Sequence, residues 1–125
     1  MRYALLIHYQ QPPAINLKDE DLAAGKAAFH AYTKALDDAG ALRSAEILQT
    51  VSSATSVSVK QGKLQVQDGP FADTKEKLGG IFVIEVDNLD EALKWAQRNP
   101  ANGWGWIEIR PVARTYAADR GWYNP

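Results

Sequence analysis

The sequence predicts an α+β domain in which two helices pack on one face of an antiparallel sheet. Three observations support this prediction: short segments rich in branched and aromatic residues, two segments with apolar residues at helical spacing, and the order in which these segments alternate. A chain of 125 residues is long enough for one domain with its own core. We therefore expect residues 1–125 to form a single domain, of which residues 114–125 are an aromatic C-terminal tail.

Three segments have the composition of buried strands. Arg2–Tyr9 ends before a Gln-Pro-Pro breaker and carries apolar residues on both faces, so we expect it in the middle of the sheet. Leu78–Val86 and Trp104–Val112 are the other two segments. Because Gly79 and Gly80 stand near the start of an otherwise bulky strand, they predict a bulge or a close approach of two backbones.

Two segments have the periodicity of amphipathic helices. Asn16–Ala39 repeats apolar residues at intervals of three, four and seven, and Gly40 is suited to the position that follows a helix. Asn88–Asn99 starts with an asparagine that can cap it, Glu91 stands three residues later, and Pro100 ends the pattern.

A hairpin is predicted between the first helix and the second buried strand. Its strands are Ala54–Lys60 and Lys63–Gln67, which a Gln-Gly turn joins. The order of strand, helix, hairpin region, strand, helix and strand is the ferredoxin-like βαββαβ plan of an antiparallel sheet, here with an extra hairpin. Two helices cover one face of such a sheet, so we expect a homodimer that packs face to face and covers the other.

Composition excludes several classes of protein. The 14 basic and 15 acidic residues give a net charge of −1, which provides no general attraction to nucleic acid or to an anionic membrane. The chain has no cysteine for a disulfide scaffold or a cysteine-ligated metal. It has neither a glycine-rich phosphate-binding motif nor paired histidines at metal-binding spacing, so we expect no cofactor and no metal. Ala4–Ile7, the longest apolar run, is far too short to span a bilayer, so we expect a cytoplasmic protein.

The region from Asp68 onward resembles a known family. The run DGPFADTKEKLGGIFVIEVDNLDEALKWAQRNP, followed by IEIRPV, is similar to the DGPF-domain branch of the YCII-related proteins. The segments RYALLIHY and YTKALDDAGAL fit the same pattern, so the resemblance covers about residues 2–113. It implies a dimeric ferredoxin-like α/β barrel. In the wider family it implies a suspected His–Asp acid/base pair, and some relatives occur beside sigma-factor-like proteins.

Two functions fit these expectations. The first is a homodimeric enzyme that uses His/Asp acid–base chemistry on a small organic molecule. The second is a non-catalytic module that senses a ligand or binds a partner, in connection with transcription. An enzyme would have a histidine or carboxylate with a strongly shifted pKa in a concave pocket. A binding module would have an apolar pocket without such a group, or a large exposed apolar patch.

The first candidate site pairs a helix histidine with a loop carboxylate. His30 lies at the edge of the first helix's apolar stripe and resembles in position the histidine of the wider family's helix. Asp68 and Asp73, in and after the DGPF turn, are its candidate partners in catalysis. The alternative is that His30 is an ordinary polar helix position. On that alternative, Asp68 is a turn residue whose side chain binds backbone amides.

The second candidate site lies on the sheet face that the helices leave uncovered. Strand alternation directs several polar and aromatic side chains to this face, where they would converge on an apolar floor, as a small-molecule site requires. The alternative is an ion-pair patch at a dimer seam. The candidate ligand-binding residues are His8, Glu85, Trp106, Glu108 and Arg110.

Overall fold

The computed structural model describes residues 1–10 and 19–125 and has an α+β architecture with an antiparallel sheet and two helices. Three strands, two helices and the hairpin follow the predicted segments closely. The elements are β1 (Arg2–Tyr9), α1 (Asp19–Asp38), β2 (Leu42–Ile47), β3 (Thr55–Lys60), β4 (Lys63–Asp68), β5 (Lys77–Glu85), α2 (Leu89–Arg98), β6 (Gly105–Pro111), β7 (Thr115–Ala117) and β8 (Gly121–Tyr123). The start that the sequence predicted for the first helix, Asn16, lies outside the described residues.

The main sheet has four strands in the order β2-β5-β1-β6, and every neighbouring pair is antiparallel. β1 lies between β5 and β6, as predicted. With two helices, this topology is consistent with the ferredoxin-like plan. β3 and β4 form a separate two-stranded sheet, the extra hairpin, and β2, which the sequence did not predict, occupies the sheet edge. β2 escaped prediction because it is a polar edge strand in which only Leu42 and Ala45 are partly buried.

The core lies between one face of the sheet and the two helices. Alternate residues of β1 and β5 point into it and meet small and aromatic side chains from α1 and α2. The buried side chains of the sheet and helices are Tyr3, Leu5, Ile7, Phe82, Ile84, Tyr32, Leu36, Ala92 and Ala96.

A buried tyrosine joins the two helices. The hydroxyl of Tyr32 in α1 donates a hydrogen bond to the carbonyl of Trp95 in α2 at 2.9 Å. Burial raises the pKa of Tyr32 to about 12, so the phenol is neutral and keeps its proton for this bond. α2 is also capped as predicted, since the Asn88 side chain accepts a hydrogen bond from the Glu91 amide at 3.0 Å.

The opposite face of the sheet consists of the side chains that alternate with the core, and we call it the open face. Its aliphatic residues are partly buried, and Glu108 lies at the middle of β6, opposite Leu6. The members of the open face on β1, β5 and β6 are Ala4, Leu6 and His8 of β1, Ile81, Val83 and Glu85 of β5, and Trp106, Glu108 and Arg110 of β6.

The predicted bulge lies at Gly79. Ile7 pairs with Gly80 and His8 pairs with Leu78, so Gly79 is an extra residue in β5. A Cβ at Gly79 would overlap the ring of Tyr9, and a Cβ at Gly80 would lie 3.1 Å from the Ile7 Cδ1 atom. The two glycines therefore allow β5 to lie close to the Tyr9 and Ile7 side chains of β1. The prediction of a bulge is confirmed.

The two hairpins outside the main sheet differ in how they attach. In the tail, β7 and β8 pair with each other, and the Arg2 guanidinium donates to the Thr115 hydroxyl at 3.1 Å. The tail is therefore folded and contacts the first strand. The hairpin β3–β4 instead exposes an apolar strip of four residues, each 57% to 66% exposed: Val57, Val59, Leu64 and Val66.

Candidate functional site

The pairing of β1 with β6 brings a histidine, a tryptophan and a glutamate together on the open face. His8 is directly opposite Trp106, and Leu6 is opposite Glu108. The His8 imidazole stacks on the Trp106 ring, with centroids 4.3 Å apart and planes inclined by 14°. Its Nε2 atom lies 3.1 Å from Oε1 of Glu108. One contact on the face of the imidazole and one at its edge thus fix the orientation of the ring.

Glu108 is held in turn by Arg110. The Glu108 Oε2 atom accepts hydrogen bonds from Nε and Nη2 of Arg110 at 3.0 and 2.5 Å. The hydrogen bond from Arg110 lowers the pKa of Glu108, and the bond with His8 adds to this effect. Glu108 is therefore a carboxylate at neutral pH and can only accept, so Nε2 of His8 carries the proton that they share.

This arrangement leaves the second imidazole nitrogen available. Among the described residues, no group is hydrogen-bonded to Nδ1 of His8. With the proton on Nε2, the Nδ1 atom has a free lone pair. A histidine whose one nitrogen donates to a carboxylate while the other can accept a proton has the geometry of a general base. The His8 side chain is 20% exposed, which leaves it accessible to a small molecule.

Glu85 lies apart from this group, although it shares the open face. Its Oε2 atom accepts from Nε of Arg2 at 2.9 Å and from Nε of Arg43 at 3.0 Å. Its partner in the sheet is Arg2, six residues from His8 along β1, which is about 20 Å at the usual rise of a strand. Of the five residues of the second candidate site, the structure therefore brings four together and leaves Glu85 at the far end.

The Glu85 cluster predicts a pH-dependent contribution to stability. The hydrogen bond from Arg2 lowers the pKa of Glu85 below its ordinary value of 4.5. The stabilisation is therefore complete well above that ordinary value and is lost as the pH falls through the lower pKa of the folded state. In urea unfolding, the stability difference between the native chain and Glu85→Gln should stay constant near neutral pH and shrink in acid. Glu20→Gln, at an exposed carboxylate of α1, is the matched control and should give a small difference at every pH.

The residues of the first candidate site are not joined within one chain. His30 is exposed on α1, and Asp68 is exposed at the end of β4. The Asp73 carboxylate accepts a hydrogen bond from the Lys77 ammonium at 2.6 Å, which lowers the pKa of Asp73. Among the described residues, no hydrogen bond or ion pair links His30 to either aspartate. Their catalytic roles stay predictions.

A cleft of about 280 Å³ opens beside this group, and we call it the tryptophan cleft. The sequence had not indicated its acidic member, Glu76, whose carboxylate accepts a hydrogen bond from the indole nitrogen of Trp106. Glu76 precedes β5 in an exposed loop, and no pattern in the sequence pairs it with a tryptophan 30 residues later. The side chains that line the cleft belong to Tyr9, Gln10, Glu76, Asn102, Trp104 and Trp106.

The structure describes residues 1–10 and 19–125. Within them, no three histidine or acidic side chains are grouped so that they could hold a metal ion. In the same part of the chain, no helix is both long and apolar enough to cross a membrane.

The fold and the site together define a class of protein. It is an α+β chain with an antiparallel sheet and with a histidine–carboxylate pair on the sheet face opposite the helices. Residues 1–115 match the YCII-related domain family, and the chain belongs to this family. It is similar to the uncharacterized protein R00369 of Rhizobium meliloti (strain 1021), with 39% identity over 80 residues. That match covers 61% of this chain and 63% of the relative, which is less than two thirds of the relative's length.

Proposed function

We propose that the chain is an acid–base enzyme that acts on a small organic molecule at the open face, with His8 as the proton-transferring group. The observation that carries this proposal is the contact of 3.1 Å between Nε2 of His8 and Oε1 of Glu108, together with the stacking of the imidazole on Trp106. This pairing replaces the histidine–aspartate pair that the sequence suggested for His30.

Each residue of the group has a chemical role in the proposal. Nδ1 of His8 takes a proton from a carbon or oxygen acid, and Glu108 stabilises the imidazolium that forms. Arg110 keeps Glu108 ionised and in place. The Trp106 ring restricts rotation of the imidazole and offers an apolar wall to the substrate.

The proposal includes a second copy of the chain. Leu6, Ile81 and Val83 of the open face are only partly buried in one chain, and neither helix packs on them. Two open faces in contact would bury these side chains in one isologous interface. The same contact would convert the shallow surface beside His8 into an enclosed cavity, where water is excluded from the reacting groups.

A model reaction with a carbon acid tests the function. 5-Nitrobenzisoxazole is a planar molecule that loses the proton on C3 to a base while its N–O bond breaks, which releases a coloured phenolate. The native chain should accelerate this reaction relative to free imidazole, and His8→Ala should reduce the rate at least about tenfold. His30→Ala is the matched control, at an exposed histidine, and should keep the native rate.

Three results would contradict the proposal in different ways. Equal rates for the native chain and His8→Ala would show that His8 is not the base. Loss of the rate in His30→Ala alone would instead assign the base to the helix histidine. Quenching of tryptophan fluorescence by the probe without any acceleration would favour the binding module, for which the exposed apolar strip of the β3–β4 hairpin is the supporting observation.

A further inference from the structure

The tryptophan cleft combines aromatic surface with negative charge. Trp104 and Trp106 are 53% and 45% exposed, so both present accessible ring surface at the cleft. Tyr9 adds a third ring and Glu76 a carboxylate. Of the described residues that line the cleft, none is basic. An anionic ligand would therefore meet only repulsion there.

The Trp106 indole is held with one face towards the His8 ring. Because His8 covers that face, the other face and the ring edge are what Trp106 offers to the cleft. Its N–H donates to the Glu76 carboxylate, which fixes the ring and places a negative charge at its edge. A carboxylate that accepts from the indole also increases the electron density of the π face, which strengthens its attraction for a cation.

Asn102 contributes a further acceptor. Its Nδ2 atom donates to the backbone carbonyls of Ala96 and Asn99 at 2.8 and 3.0 Å, and these acceptors identify which end of the amide is nitrogen. The Nδ2 atom of Asn102 is therefore already hydrogen-bonded to backbone carbonyls at the end of α2. Asn102 lines the cleft, and its Oδ1 atom, which accepts no hydrogen bond from the described residues, carries partial negative charge.

We propose that the tryptophan cleft binds an organic ammonium cation. Aromatic rings, a carboxylate and an amide oxygen are the groups that recognise such cations in proteins, because each presents negative potential and the rings also accept the alkyl substituents. The lysines nearest in sequence to Glu76 do not line the cleft, and the Lys77 ammonium is already bound to Asp73. This site is separate from the proposed proton transfer at His8, with which it shares only the Trp106 ring.

A pair of isosteric probes separates the effect of the ligand's charge on binding from the effect of its shape. Choline and 3,3-dimethylbutan-1-ol differ only in the replacement of the quaternary nitrogen by carbon. The indole N–H signal of Trp106, assigned with Trp106→Phe, is followed in ¹⁵N-labelled protein during each titration. Choline should shift this signal saturably at millimolar concentrations, and the neutral alcohol should bind about tenfold more weakly.

Matched variants test which carboxylate contributes to choline binding. Glu76→Gln should weaken choline binding about tenfold and leave binding of the neutral alcohol unchanged. Glu46→Gln removes an exposed carboxylate elsewhere and should have no effect. Glu108→Gln should disturb the His8 signals but keep choline binding, so that failure of the His8 proposal and failure of this one give different results. Equal affinity for the two probes, or no saturable shift with choline, would overturn the proposal.

Discussion

Gly105→Ala is expected to lower the melting temperature by several degrees, whereas Gly103→Ala is expected to leave it nearly unchanged. A Cβ at Gly105 would overlap the backbone carbonyl oxygen of His8 and lie 2.9 Å from the Cβ of Tyr9. A backbone atom of a paired strand cannot rotate away, so β1 and β6 would have to separate at this end. Overpacking of this kind costs about 1–3 kcal/mol, which corresponds to several degrees in a chain of this size.

The two glycines form a matched pair because a Cβ at Gly103 would meet no atom within 4 Å. Thermal unfolding followed by circular dichroism gives the comparison directly. The same separation of β1 from β6 would also remove the stacking of His8 on Trp106, so Gly105→Ala should lose the model reaction even at temperatures where it is folded. Identical melting temperatures for the two variants would contradict the close approach of the strands.

Val83→Lys is expected to prevent formation of the proposed face-to-face dimer. Val83 lies at the centre of the open face, where its sheet neighbours are Ala4 and Ser44. In one chain a lysine there can extend into solvent, but between two packed faces its charge would be buried without a partner. Such a charge costs about 3 kcal/mol or more, which weakens the dissociation constant at least about 100-fold.

Sedimentation at micromolar concentration measures this effect. The native chain should sediment at twice its mass of 13.8 kDa and Val83→Lys at that mass itself. Val57→Lys on the exposed strip of the β3–β4 hairpin is the control, since it places the same charge outside the open face and should keep the dimer. A native monomer, or a Val83→Lys variant that still dimerises, would contradict the face-to-face arrangement.

Local patterns were sufficient to predict most of the elements and the faces of the sheet. The apolar residues on both faces of Arg2–Tyr9 predicted β1 and its central position, and the asparagine cap predicted the start of α2. Alternation along the strands directed His8 and Glu108 to one face. Their contact was not predictable, because it depends on the register between β1 and β6, which places residues 100 positions apart side by side.

The features that escaped prediction have little local signal. β2 is stabilised by pairing with β5 at the sheet edge and needs few apolar residues of its own, so its composition resembles a loop. Glu76 belongs to the tryptophan cleft only because the loop before β5 ends beside Trp106. The DGPF turn was predicted from its residue types, and Gly69 does adopt a positive φ of 87° there, but turn chemistry alone gives no distance from Asp68 to a histidine.

The β3–β4 hairpin is expected to open as a cooperative unit of its own, separate from the four-stranded sheet. Its strands pair with each other and share no ladder of hydrogen bonds with the four-stranded sheet, so it can open while the core stays closed. A two-stranded hairpin with its apolar side in water is only marginally stable. Amide protons of β3 and β4 are therefore expected to exchange through a local opening of low free energy, and those of β1 only when the whole sheet unfolds.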